Sequence, residues 1–222
     1  MDGTMKRFRR AGLWAVLLAT AVTALPAVAS AEENQVFFRG GFAQAATGRQ
    51  NQLFTDTYNI LGAGNNAGGT GWYIGAGLDQ AMHKNFLGFK GMSLLGELGI
   101  EFKSFASNTV TSATALSPVN RNAPAKVQIT MLTVDVSPKL KFREGEKLRP
   151  WVIPVGLDFH VISPPGNQAG YLDIGVQQGV GIEYNVWGPV NLGLDGRYHW
   201  AANMTNTVNN FGTVGAYVGI LY

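Results

Sequence analysis

Phe211-Gly-Thr-Val-Gly-Ala-Tyr-Val-Gly-Ile-Leu-Tyr222 decides the fold: Val214, Ala216, Val218, Ile220 and Tyr222 fall on every second position, and the last residue is aromatic. A period of two is that of a β-strand, whose successive side chains point to opposite faces. A strand bearing one apolar row and ending in an aromatic ring suits a bilayer. In hydrocarbon every backbone N–H and C=O needs an internal partner, so strands cross only as parts of a closed barrel. The terminal segment is then the closing seam.

Seven further segments follow the same pattern, near residues 35–43, 71–80, 91–104, 127–142, 149–162, 170–184 and 188–200, with the seam at 211–222. Segments of about ten alternating residues separated by turn-rich stretches are the signature of an outer-membrane-type barrel. The expected architecture is an all-β, eight-stranded, antiparallel, up-and-down transmembrane β-barrel over residues 32–222.

The amino terminus has a different character. Lys6, Arg7, Arg9 and Arg10 precede an apolar run from Ala11 to Leu25, and Ala29-Ser30-Ala31 precedes Glu32 and Glu33. This is the pattern of a signal peptide cleaved after Ala31, and the run is shorter than the roughly 20 residues of a membrane helix. Of 17 Lys and Arg against 14 Asp and Glu, the leader holds four bases and Asp2, leaving 13 of each. The basic balance therefore belongs to the leader, and no nucleic-acid partner is expected. The sequence contains no cysteine. Disulfides therefore contribute nothing to an exported domain that often uses them.

The connections alternate in length. Residues 44–70 and 105–126 are long and rich in Gly, Asn, Ser, Thr and Ala, whereas 143–148 and 185–187 are tight. Long outer loops and short periplasmic turns place both mature termini in the periplasm, with 163–169 and 201–210 as the other outer loops. The segment Ala81–Lys90 is long for an inner turn, and Phe86 and Phe89 suit an interfacial position. Gly62–Gly71 has a glycine density reminiscent of phosphate loops but lacks their Lys-Ser/Thr ending, so it is read as an outer connection. No role is assigned to the sequon at Asn203-Met-Thr205.

Parity sorts the side chains. Leu94, Leu98, Ile100 and Phe102 share a face with Met92, opposite Ser93, Glu97, Glu101 and Lys103. In the fifth segment Trp151, Ile153, Val155, Leu157, Phe159 and Val161 are expected outside, with Asp158 and His160 inside. Gln178 interrupts the outward row of the sixth segment, which points to a bulge in that segment or a slip of register there. A soluble barrel would use the same period but bury its apolar row. Here the apolar rows are continuous and flanked by Trp72, Trp151, Tyr184, Trp187, Trp200 and Tyr222, the arrangement of an aromatic girdle at a lipid interface.

Together with the leader, Gln35-Val-Phe-Phe-Arg-Gly-Gly-Phe42, Gly71-Trp-Tyr-Ile-Gly-Ala-Gly-Leu78 and Val218-Gly-Ile-Leu-Tyr222 carry a resemblance. The mature chain resembles the OmpA/OmpX-like family of small outer-membrane barrels, which includes the opacity-type surface proteins. The resemblance implies insertion by the barrel-assembly machinery, which reads a terminal aromatic. Phe is commonest there, and this sequence has Tyr222. No peptidoglycan-binding domain follows the barrel in this sequence, so the tethering role of the longer OmpA proteins is not expected.

Eight strands enclose a lumen just wide enough to be filled by side chains. The inward charges expected to pair across it are Arg39, Glu97, Glu101, Asp135, Lys139, Asp158, Asp195 and Arg197, joined by Lys103, Lys141, Asp79, Asp173 and Glu183. A sharper alternative is a narrow pore, for which inward glycines such as Gly77, Gly99, Gly181, Gly193 and Gly215 would leave room. His160, Asp173 and His199 form an expected cluster at the outer mouth; two imidazoles with a carboxylate could hold a transition metal or relay a proton, but the cluster is read as hydrogen-bonded filling. PagL-type deacylases use a His and a Ser two residues apart on the lipid face. Here His199-Trp200-Ala201 lacks the serine, and His199 has inward parity.

No catalytic residue, cofactor or metal is therefore assigned. The leading expectation is a monomeric, non-catalytic barrel in the bacterial outer membrane, with a structural or surface-interaction role. Its partners are membrane lipid and an extracellular ligand or protein met through the loops. A small channel for small hydrophobic or polar solutes comes second, and a lipid-modifying enzyme third.

Overall fold

A computed structural model describes residues 33–46, 69–110, 125–163, 171–202 and 210–222. The expected leader, most of the four expected outer connections and the tripeptide at Asn203 lie outside the described residues. Eight strands run in order: β1 (Gln35–Ala45), β2 (Thr70–His83), β3 (Ser93–Val110), β4 (Ala125–Lys141), β5 (Leu148–Ser163), β6 (Tyr171–Trp187), β7 (Val190–Ala201) and β8 (Phe211–Leu221). Each pairs antiparallel with its sequence neighbours, and β8 pairs with β1 from Gln35↔Leu221 to Ala45↔Phe211, closing the barrel. Closure removes both sheet edges, so each strand has hydrogen-bonding neighbours on both sides.

The alternation carries through as in-and-out faces. Outside are Phe38, Ile74, Leu98, Ile100, Val136, Leu157, Val180, Leu194 and Val214, all exposed. Phe42, Trp72, Phe102, Tyr198 and Trp200 ring the end of this wall away from the chain termini, with Tyr198 and Trp200 in edge contact at 4.6 Å. Phe89, Tyr184, Trp187 and Tyr222 ring the turn end. Soluble proteins rarely expose a contiguous apolar patch larger than a few hundred Å², and a belt around a whole barrel is the surface of a lipid-solvated wall.

Two expectations about facing are corrected. Trp151 and Ile153 lie in the lumen, at 2% and 0% exposure, while Val155, Leu157, Phe159 and Val161 face out as expected. The parity reverses because β5 carries a bulge. Its pairing to β6 jumps from Ile153↔Gly179 to Gly156↔Gln177, so Pro154 and Val155 together oppose Gln178. Pairing to β4 is interrupted over the same stretch, between Val136↔Leu157 and Leu140↔Val152. Pro138 of β4 and Pro154 of β5 both lack an N–H for the ladder, and the extra residue is absorbed there. Gln178 itself keeps its outward parity, so the irregularity belongs to the strand beside it. Met92, expected on the lipid face, is buried at the turn end.

The turns between β2 and β3 and between β4 and β5 are tied together. Residues Phe86–Gly88 form a short 3-10 turn, entered through Asn85 (φ 51°). The Asn85 side-chain oxygen accepts from the Gly91 N–H at 3.1 Å, and the Glu144 N–H donates to the Gly91 carbonyl at 3.1 Å. Lys84 pairs with Glu144 at 2.9 Å. The long inner segment is thus an ordered corner, with Leu87 and Phe89 exposed beside the turn-end aromatic ring.

Candidate functional site

The lumen is the only large polar environment that the described strands enclose, and side chains from all parts of the ring meet in it. At the turn end, Arg149 Nη1 donates to Glu33 at 2.8 Å, and Ser93 Oγ donates to the same carboxylate at 3.0 Å. One level in, Gln35 Nε2 donates to Asp79 at 2.7 Å and to Glu183 at 2.8 Å. Glu183 also accepts from Lys141, from Asn191 at 3.0 Å and from the Tyr217 hydroxyl at 3.1 Å. The Trp151 indole N–H donates to that hydroxyl at 2.9 Å, so the displaced Trp151 completes a chain from β5 through β8 to β6.

The middle of the lumen is a charge lattice. Lys139 Nζ donates to Asp79 at 2.8 Å and to Glu97 at 3.1 Å, and it lies 4.4 Å above the Trp151 ring. Arg39 reaches Asp135 at 2.9 Å, Glu101 at 2.5 Å and Glu97 at 3.3 Å. Arg197 meets Glu97 at 2.5 Å and Asp195 at 2.9 Å. Glu97 is on β3 and Arg197 on β7, four strands apart in a ring of eight, so this pair crosses the barrel's full width. Each carboxylate here has a cation or several donors, which offsets a desolvation cost of several kcal/mol per buried ion. Arg39, Glu97, Glu101, Asp135, Lys139, Asp195 and Arg197 are therefore brought into one connected network.

Inward glycines make this packing possible. Phe37, Trp151 and Tyr217 sit directly opposite Gly77, Gly181 and Gly193 on the neighbouring strands. A Cβ on those glycines would approach the rings to 2.4, 2.4 and 2.1 Å. Tyr73 lies opposite Gly41 and would be met at 2.2 Å by a Cβ on Gly215. The space that the glycines leave is occupied by aromatic side chains. Sequence reasoning named the charges but missed these rings; the available signal was a glycine across from each inward aromatic.

Toward the end of the lumen away from the chain termini stand Lys103, Thr133, Asp158, His160 and His199. Lys103 pairs with Glu101, donates to Thr133 Oγ at 2.9 Å and lies 4.9 Å over the Phe211 ring. The Thr133 hydroxyl is 3.0 Å from His160 Nδ1. His199 Nδ1 is 2.7 Å from Asp158 Oδ2, and His160 Nε2 is 3.6 Å from the same oxygen. Phe211 stacks on His199 at 4.2 Å and touches His160 edge-on at 5.3 Å. The expected trio of His160, Asp173 and His199 is thus altered: the carboxylate between the imidazoles is Asp158. Asp173 is buried in the lumen, opposite His160 in the β5–β6 register.

The chain matches no protein-family model and no curated protein. Among solved structures it is similar to neisserial surface protein A, with a TM-score of 0.55 and 14% identity over 87% of this chain and 98% of that one. The outer-membrane enzyme PagL aligns at a TM-score of 0.46 and 12% identity over 85% of this chain and 99% of that one. The attachment invasion locus protein of Yersinia pestis, in complex with a heparin analogue, aligns at 0.43 and 11% identity, over 86% of this chain and 99% of that one. The first of these likenesses shows the fold: a closed eight-stranded up-and-down barrel of the outer-membrane type.

Proposed function

We propose that this protein is a monomeric, non-catalytic barrel of the bacterial outer membrane, with both mature termini in the periplasm, that meets an extracellular ligand or protein through its outer loops. The observation that carries this reading is the combination of an apolar outer wall with a lumen bridged level by level, from Glu33–Arg149 through Arg197–Glu97 to His199–Asp158. A barrel so filled offers solutes no wide conduit, which leaves the loops as its means of contact. The fold likeness to a neisserial surface protein is in keeping with a surface role. Ala201 stands where a PagL-type deacylase has its serine, two residues from His199, so that particular chemistry lacks its pair here.

Two measurements test this reading together. The chain should fractionate with outer membranes and change gel mobility on boiling in detergent, and the purified barrel should show little steady conductance in planar bilayers. A stable, ion-selective conductance that shifts in Arg197→Ala would favour the channel instead. Recovery as a soluble periplasmic protein would end the membrane reading.

A further inference from the structure

We propose that Asp158, His160 and His199 bind one divalent first-row transition ion, zinc by preference, tying β5 to β7 across β6 near the outer end of the lumen. One ligand atom from each residue lies within 4.8 Å of the other two, and all three residues are fully buried. His160 Nε2, His199 Nε2 and Asp158 Oδ1 have no hydrogen-bond partner among the described residues. Buried polar atoms are nearly always paired, and each of the three clustered residues carries one that is not; the atoms that converge are His160 Nε2 and His199 Nδ1 on Asp158 Oδ2, at 3.6 and 2.7 Å, where an ion would take the place of the hydrogen bond. Two imidazoles and a carboxylate form a nitrogen and oxygen set suited to zinc, with a fourth position left for water.

The surroundings carry both signs: Lys103 donates to the Thr133 hydroxyl that meets His160, while carboxylates outnumber bases across the described lumen. Among the described residues, nine buried carboxylates face six buried Lys and Arg side chains. Asp135 stands directly across from Asp158 in the β4–β5 register, with its charge shared by Arg39 at 2.9 Å. Gly175 lies opposite Asp158, and a Cβ there would come within 3.2 Å of His160 Nε2 and 2.5 Å of the Trp200 carbonyl, so it is glycine that leaves this edge of the imidazole uncovered. Thr133 supplies the outer shell: with His160 Nδ1–H donated to its hydroxyl, the Nε2 lone pair is free for metal. The sequence reading allowed a shared cation for His160, Asp173 and His199 but expected filler, because a structural site normally has about four ligands and a single strand does not fix the register.

The test uses the tag-free mature barrel, folded in detergent, stripped with chelator and loaded with zinc or cobalt(II). The expected result is one zinc per barrel after gel filtration, and visible bands of four-coordinate cobalt. Loading should be lost in His160→Ala plus His199→Ala, which retains His83 as an internal control for adventitious surface binding. Thr133→Val should weaken zinc about 10- to 100-fold. Equal metal in the unmodified barrel and the double variant would overturn the proposal. So would the absence of four-coordinate cobalt bands in the unmodified barrel, a result that stands even if the double variant does not fold.

Discussion

Removing Arg197 tests whether the lumen network works as paired charges or as inert filling. Its guanidinium holds Glu97 at 2.5 Å and Asp195 at 2.9 Å, and it lies 5.3 Å from the Trp151 ring. The two acids are not equally dependent on it. Glu97 keeps Lys139 at 3.1 Å and Arg39 at 3.3 Å, whereas Asp195 keeps only the Tyr73 hydroxyl at 3.4 Å and Arg39 at 3.9 Å. Arg197→Ala should therefore cost about 3–5 kcal/mol, the usual penalty for leaving a buried charge without its partner. The stranded charge is Asp195, so neutralising it should recover part of the loss. Asp195→Asn alone should cost less, since Arg197 stays bound to Glu97. The double variant should lose less than the sum of the single losses, by a coupling of about 0.5–3 kcal/mol. Urea unfolding of the barrel in lipid vesicles, followed by gel mobility and tryptophan emission, measures all three. Strict additivity of the two single variants would refute the assignment of Asp195 as the stranded partner.

Other outcomes follow from packing and topology. Gly193→Ala drives a Cβ to 2.1 Å from the Tyr217 ring, while Gly196→Ala meets nothing closer than 3.9 Å. The first should lose about 1–3 kcal/mol by overpacking, and equal unfolding midpoints for the two would contradict the socket role of Gly193. Because the chain has no cysteine, single-cysteine variants report orientation directly. On intact cells, an impermeant maleimide should label Ser117→Cys and spare Glu146→Cys, and the opposite pattern would invert the barrel.

The legible and the illegible parts of this molecule divide along a physical line. Strand number and order could be read because each rests on local alternation, which a single segment displays by itself. The facing of β6, β7 and β8 followed for the same reason. What failed was whatever depended on counting through an irregularity. Trp151 and Ile153 lie upstream of the Pro154–Val155 bulge and Asp158 and His160 downstream, so one parity applied to the whole strand had to misplace one half. The warning was present in Gln178, but it was attributed to β6 when the extra residue lay in β5 opposite it. The outer cluster failed for a related reason. Parity placed Asp158 and Asp173 alike in the lumen, yet which carboxylate falls between His160 and His199 depends on rotamer and on stagger between neighbouring strands. The lumen glycines show the reverse case, where the information was present in pairs. Gly193 means space when read alone; read against its partner Tyr217, it means the space is filled. Register converts the glycine rows from evidence for a pore into evidence for a plug, and register is a property of two strands that no single one displays.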